Sequence, residues 1–227
     1  MTNFKTVATN LNITFTKDAL LQEAFTHRSY LNEAGKNKAS NERLEFLGDA
    51  ILSFVISNYL FATYPDYPEG QLTNVRSTIV KTETLAEISK SLNFGDYLLL
   101  SHGEEKSGGR NNISLLADTF EAFLGAVFLD KGIKAVEEFL GKTLVPKIPD
   151  IIKKELYSDY KSKLQEVVQE KSDVPPTYEI VKTEGPDHAK TFWVKVVLDG
   201  KDGEVGMGRS KQEAEQSAAA KQLEKMT

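Results

Sequence analysis

The chain contains no cysteine among its 227 residues, which excludes disulfides and thiolate metal ligands. Histidine is nearly as scarce: His27, His102 and His188 each stand alone. A lone histidine is not a catalytic triad, and the default reading of His27 and His102 is structural. No uninterrupted apolar run reaches the ~18 residues of a membrane-spanning helix, so no membrane contact is expected. Met1 to Asn10 has neither the basic nor the apolar region of a signal peptide, which leads to the expectation of a cytoplasmic address. A surplus of positive charge is also missing. The net charge is −5, and residues 155–227 hold 11 Lys and Arg against 14 Asp and Glu. Nucleic-acid binding usually shows as a basic surplus, so any phosphate contact has to be local. What is present, 40% hydrophobic and 27% charged residues, is the balance of an ordinary globular protein.

Apolar residues recur at spacings of three and four from Asp18 to Leu140, predicting successive helices. Breaks fall at Asn32–Asn41, at Tyr64–Gly70 and at Ser101–Asn112, the last expected to be a mobile or ligand-touching loop. A charged, proline-bearing stretch around Pro146 to Glu155 reads as a boundary. After it the pattern changes. A helix is predicted over Asp159–Glu170, strands over Thr177–Lys182, Phe192–Leu198 and Gly203–Gly208, and a turn at Asp199–Asp202. An alanine-rich helix follows, with Ser210 as N-cap and Glu213 at its third position. The fold class expected is therefore multi-domain: an all-α unit, then a small α+β unit of order α-β-β-β-α. Trp193 is read as a core residue, and Ala218 to Ala220 as the packed face of the last helix.

The chemistry is carried by acids in unexpected company. Glu42, Glu45 and Asp49 stand at i, i+3 and i+7 and share one sector of a helix. Leu44, Leu47, Ile51 and Phe54 lie on the opposite side. With Phe46, Ala50, Leu52, Val55 and Ile56 they make that helix apolar nearly all round, as for an element inside a domain or an interface. The almost wholly apolar run Leu115–Leu129 repeats the pattern with Asp118 and Glu121, and Gly125 on the same stripe permits close approach of another backbone. The competing reading is a solvated acidic face. Acids in apolar surroundings cost several kcal/mol unless neutralised, and no Lys or Arg interrupts either stripe. Convergent carboxylates without Cys or His are hard ligands suited to Mg²⁺ or Mn²⁺, ions that promote phosphodiester hydrolysis. A di-iron helical protein would place Glu-x-x-His pairs, which are not found here.

The segment ERLEFLGD at Glu42–Asp49 resembles the signature of the ribonuclease III family. THRS at Thr26–Ser29, Glu69 and Gly70, SGGR at Ser107–Arg110 and ADTFEA at Ala117–Ala122 follow in that family's order. DYKSKLQE at Asp159–Glu166, GPDH at Gly185–His188 and GRSKQEA at Gly208–Ala214 are similar to a double-stranded-RNA-binding domain. The resemblance implies a catalytic domain over 4–133, a connection over 134–157 and the RNA-binding domain over 158–227. It implies a Mg²⁺-dependent endoribonuclease, with Mn²⁺ able to substitute and no organic cofactor, that cuts both strands of double-stranded RNA to leave short 3′ overhangs. Ribosomal RNA precursors and other structured transcripts are the implied substrates. By the same resemblance Glu45, Asp49, Asp118 and Glu121 match metal-binding acids, Asp49 and Glu121 being catalytic, and Glu42 is a supporting acid. A homodimer is implied, with the Glu42–Ile56 helices near its two-fold axis.

Duplex RNA is read through phosphates and 2′-hydroxyls rather than bases. The resemblance implies that Ser162, Gln165, Glu166 and Gln169 meet a minor groove, that Pro186 and His188 lie in the loop that reaches the RNA, and that Arg209, Ser210 and Lys211 hold phosphate. Gln212 stands where a second lysine is common, and Asn111 and Asn112 where charged residues often occur, departures expected to weaken binding. A regulator that binds duplex RNA without cutting it is the rival reading.

Overall fold

The computed structural model describes residues 4–34, 39–153, 160–170, 172, 174–186 and 190–226. Contacts divide the chain into two compact units, Met1–Tyr157 and Ser158–Thr227. The first is helical: α1 (Phe4–Asn10), α2 (Asp18–Ala24), α3 (Leu31–Ala34), α4 (Glu42–Thr63), α5 (Glu69–Ile79), α6 (Thr82–Ser91), α7 (His102–Lys106), α8 (Ile113–Lys131), α9 (Ile133–Thr143) and α10 (Ile148–Lys153). Residues 134–157, expected as a connection, begin with α9 and α10, whose Phe139, Leu140, Ile148 and Ile151 are buried in this unit's core.

Helices α4 and α8 form the centre of that core. By length and composition alone α4 could cross a membrane, yet Leu44, Ile51, Leu52, Val55, Ile56 and Leu60 are buried within the unit. The start of α8 is fixed by Asn112, whose side-chain oxygen accepts the N–H groups of Ser114 (2.9 Å) and Leu115 (3.2 Å). An asparagine cap of this kind stabilises a helix by about 1 kcal/mol. Asn112, expected only as a lost charge, thus has a structural task. Around α8 the rings of Phe25, Phe94 and Phe123 pack edge-on or tilted, with centroids 5.1 to 6.2 Å apart. Each fully buried phenylalanine contributes roughly 2 to 3 kcal/mol.

Two glycines let the central helices touch backbone to backbone. A Cβ on Gly48 of α4 would collide with the Glu121 carbonyl oxygen of α8, and one on Gly125 would collide with the Leu44 carbonyl oxygen. Numbers rise along one helix as they fall along the other, so the pair is antiparallel, with close contacts about one helical turn apart. The approach expected at Gly125 is therefore present, and Gly48 is its counterpart.

Of the two expectations for this all-round apolar helix, inside a domain or at an interface, the unit's own core covers only part: Phe54 is 60% exposed, alongside Phe46 at 80% and Phe61 at 75%. The core takes a stripe narrower than the helix's apolar circumference and leaves these rings outside it. The segment 101–112 also differs, being folded rather than open. Arg110 donates to the carbonyls of Gly95 (2.9 Å) and Leu98 (3.0 Å), and Glu33 accepts the His102 N–H (2.9 Å).

The second unit holds α11 (Tyr160–Gln169), β1 (Thr177–Glu184), β2 (Thr191–Leu198), β3 (Lys201–Gly208) and α12 (Lys211–Met226), the expected α-β-β-β-α order. Its sheet is antiparallel in the order β1-β2-β3. Leu164 and Val168 of α11, Val196 of β2, and Ala218 and Ala219 of α12 make its core. The turn before β3 is only Asp199-Gly200, both at positive φ (48° and 73°), the tight two-residue hairpin favoured by that dipeptide, so Lys201 and Asp202 belong to the strand. Ser210 and Glu213 form the expected reciprocal cap: Glu213 N–H donates to Ser210 Oγ (3.1 Å) and Arg209 N–H to Glu213 Oε2 (2.7 Å). Trp193 is a correction. Val194 and Val196 point inward, so strand alternation puts Trp193 on the outer face, where the Lys182 ammonium lies 5.0 Å from its ring centre.

Candidate metal centre and RNA-binding surface

The close approach of α4 and α8 places acids from both helices in one spot. Glu45, Asp118 and Glu121 each offer a carboxylate oxygen within 4.8 Å of the others, a spacing that suits one divalent cation. All three are half-buried. Asp49 does not join that tight group. It is exposed, one turn further along α4, but its charge acts on both Glu45 and Glu121. Glu42 lies at the exposed rim, where it accepts the Ser40 hydroxyl (2.8 Å) and pairs with Arg28 at 3.7 Å.

Electrostatics mark the cluster as incomplete without a cation. Burial, then the charges of Asp49, Glu45 and Asp118, push the Glu121 carboxyl up to about 8. Burial and the neighbouring acids also raise Glu45. Burial raises Asp118, with His27 drawing it back down. Converging carboxylates that all resist ionisation are hard oxygen donors suited to a positive partner, so these residues fit a divalent ion. Sequence spacing had passed over His27, whose only signal was its place in the THRS motif.

A pH dependence follows. Between about 4.5 and about 8 the folded protein keeps a proton on Glu121 that the unfolded chain has released, so stability falls as pH rises through that window. The metal-free protein is expected to melt at a lower temperature at about pH 8.5 than at about pH 6, and Mg²⁺ to raise melting more at the higher pH, where protons no longer compete. Glu121→Gln should flatten this difference. Melting curves in chelator check it, and equal pH slopes for wild type and variant would contradict it.

On the second unit, Ser162, Gln165, Glu166 and Gln169 are all exposed along α11, opposite buried Leu164 and Val168. Pro186, Arg209, Ser210 and Lys211 are exposed too. His188 lies outside the described residues. The Lys211 ammonium is 3.7 Å from Glu215, which also holds Lys161 at 2.6 Å.

Comparison with known proteins agrees with both halves. The profile of the Ribonuclease-III-like family matches residues 17–148, and that of the double-stranded RNA binding motif matches residues 160–226. Ribonuclease 3 of Streptococcus sanguinis is 48% identical over 222 residues, covering 97% of this chain and 95% of that protein. Ribonuclease 3 of Anoxybacillus flavithermus is 49% identical over 224 residues, covering 98% and 94%. Among solved structures, a nuclease domain of ribonuclease III from Campylobacter jejuni superposes with a TM-score of 0.60 at 36% identity, spanning 65% of this chain and 99% of its own. The acid-bearing helical unit and the α-β-β-β-α unit are matched separately, in the same order and over nearly the whole length, and the chain belongs to the ribonuclease III family.

Proposed function

We propose that this protein cuts both strands of double-stranded RNA as a homodimer, with Mg²⁺ held by Glu45, Asp118 and Glu121 and with Asp49 and Glu121 essential to the cut. One observation carries the reading: carboxylates of two helices converge within 4.8 Å and resist ionisation without a positive partner. When bound, the divalent cation supplies positive charge to the phosphate and acidifies the attacking water, and Mn²⁺ has the ligand preferences to replace it. Glu121 would give up its proton to hold it beside Asp118, Glu45 faces them from the other helix, and Asp49 adds negative charge from the solvent side. Glu42 steadies the rim through Ser40 and Arg28. The second unit brings duplex to this centre, with α11 toward a minor groove and Arg209, Ser210 and Lys211 at the phosphates, where the start of α12 assists. Ribosomal precursors and other structured transcripts are the proposed substrates.

The homodimer is supported by Phe46, Phe54 and Phe61, three exposed rings along α4. An apolar surface of this kind marks an interaction site. The Campylobacter jejuni nuclease domain was described for flexibility in a region involved in its dimer formation. A symmetric pair offers one acid cluster to each antiparallel RNA strand. The absence of cysteine supports a cytoplasmic address, since nothing in the chain calls for an oxidising compartment.

With Mg²⁺ the protein should nick both strands of a perfect RNA duplex at paired, staggered positions, spare single strands and stop when chelator is added. It should sediment as twice 25.3 kDa. Mapping both cleavage ends on a defined duplex tests this. Binding without any cutting in Mg²⁺ or Mn²⁺ would instead favour the non-cleaving regulator, which has no use for the acid cluster.

A further inference from the structure

His27 is held more firmly than a surface histidine needs to be. Its N–H donates to the Leu99 carbonyl (3.1 Å) and its own carbonyl accepts the Tyr30 N–H (3.0 Å). Its neighbour Thr26 bridges to Leu99, and the Thr26 carbonyl accepts the N–H of Asn41 (2.8 Å), the residue just before acid-bearing α4. The ring is fixed as well. Nδ1 is 2.9 Å from the Ser29 hydroxyl and accepts the Ser29 N–H at 3.4 Å. That hydroxyl in turn accepts the Ser101 N–H (3.0 Å) at the start of α7.

One of these bonds bears on where the ring proton sits. The Ser29 N–H is aimed at Nδ1, which favours the tautomer in which Nδ1 accepts and the neutral ring carries its proton on Nε2. Nε2, at the ring edge turned away from Ser29, has no hydrogen bond to any described residue. The half-buried ring sits in a segment tied to acid-bearing α4 on both sides, since the Thr26 carbonyl accepts the Asn41 N–H (2.8 Å) and Arg28 pairs with Glu42 (3.7 Å), and His27 opposes the rise of the Asp118 carboxyl. Among the described residues, the charges acting on Glu45 and Glu121 are all acidic.

A phosphodiester approaching such a cluster meets repulsion that a divalent ion offsets without fixing the phosphate's orientation. A donor locked by its surroundings and left unspent at the cluster's edge meets that need, because preorganised donors incur little reorganisation when charge arrives. We infer that His27 is a substrate-contacting residue whose Nε2–H donates a hydrogen bond to an oxygen of the phosphate being cut. The proton stays on the ring. The inference rests on reading the cluster as the hydrolytic centre and adds to it a phosphate ligand from outside both acid helices.

Three substitutions separate this role from a structural one. Glutamine places an amide N–H near the position of Nε2, asparagine places one near Nδ1, and alanine removes both. Each full-length variant is compared with wild type by single-turnover cleavage of a perfect RNA duplex in Mg²⁺, with duplex binding and melting temperature measured alongside. His27→Ala is expected to cleave about a hundredfold more slowly with binding unchanged, the usual loss for one preorganised donor. His27→Gln should recover much of that loss and His27→Asn little of it. The proposal is overturned if His27→Ala cuts at the wild-type rate, or if asparagine rescues and glutamine does not, since the bond to Ser29 would then be what the ring supplies. Equal losses in all three variants together with lowered melting would overturn it as well. A wild-type protein that leaves the duplex intact overturns the underlying reading, and this inference with it.

Discussion

Glu121→Gln is expected to slow duplex cleavage about a thousandfold while leaving duplex binding in a gel-shift assay within a few-fold of wild type. The amide keeps the size of the side chain and removes its negative charge. Metal charge supplies several kcal/mol to such a transition state, and each 1.36 kcal/mol is about tenfold in rate. Binding survives because residues 160–226 match a double-stranded RNA binding motif in a unit with its own core. The variant should also be no less stable than wild type in chelator, since it removes the carboxyl that burial and three neighbouring acids push up to about 8. Cleavage within tenfold of wild type at saturating Mg²⁺ would remove Glu121 from the centre.

Gly48→Ala should destabilise the nuclease unit by about 3 kcal/mol, the upper end of ordinary overpacking, because the new methyl meets a backbone carbonyl that has no rotamer to escape into. A lowering of roughly 10 °C in melting temperature is the corresponding shift for a protein of this size. The damage should reach the chemistry too. The carbonyl in the way belongs to Glu121, so separating the helices moves a proposed ligand away from Glu45. Gly141→Ala is the internal control. Gly141 also lies in a helix, α9, but a methyl there meets nothing within 4 Å. That change should be neutral or stabilise by up to about 1 kcal/mol, as alanine does in place of an exposed helical glycine. Equal melting temperatures for the two variants would mean that α4 and α8 are not in backbone contact at Gly48.

Much of this was readable from spacing, for a physical reason. Position around a helix is fixed by 3.6 residues per turn, so the acids at 42, 45 and 49 and those at 118 and 121 had to share sectors of their own helices. Local chemistry was equally legible, as in the Ser210–Glu213 cap and the Asp199-Gly200 turn. Relations between elements were not. Spacing says nothing about how far one helix stands from another, so it could not show that Asp49 would stay outside the tight group while Glu45 joined it. The parity of β2 was misread at Trp193 because Phe192, Trp193 and Val194 are all apolar, and no alternation marks which side faces the helices. The exposure of Phe54 was unreadable for a related reason: an all-round apolar helix does not reveal which stripe its own domain covers. The anchoring of His27 was not readable because its backbone partner Leu99, and Ser101, which bonds the Ser29 hydroxyl beside its ring, are more than seventy residues away.

The paired glycine contacts between α4 and α8 have one more consequence. Main chain rests on main chain at both points, so the separation of the two helix axes is set by atoms that cannot rotate aside. The backbones that carry Glu45 and the acids of α8 thus stand at a nearly fixed separation, a gauge cut into the main chain, and the torsions of the acid side chains are what is left to adjust.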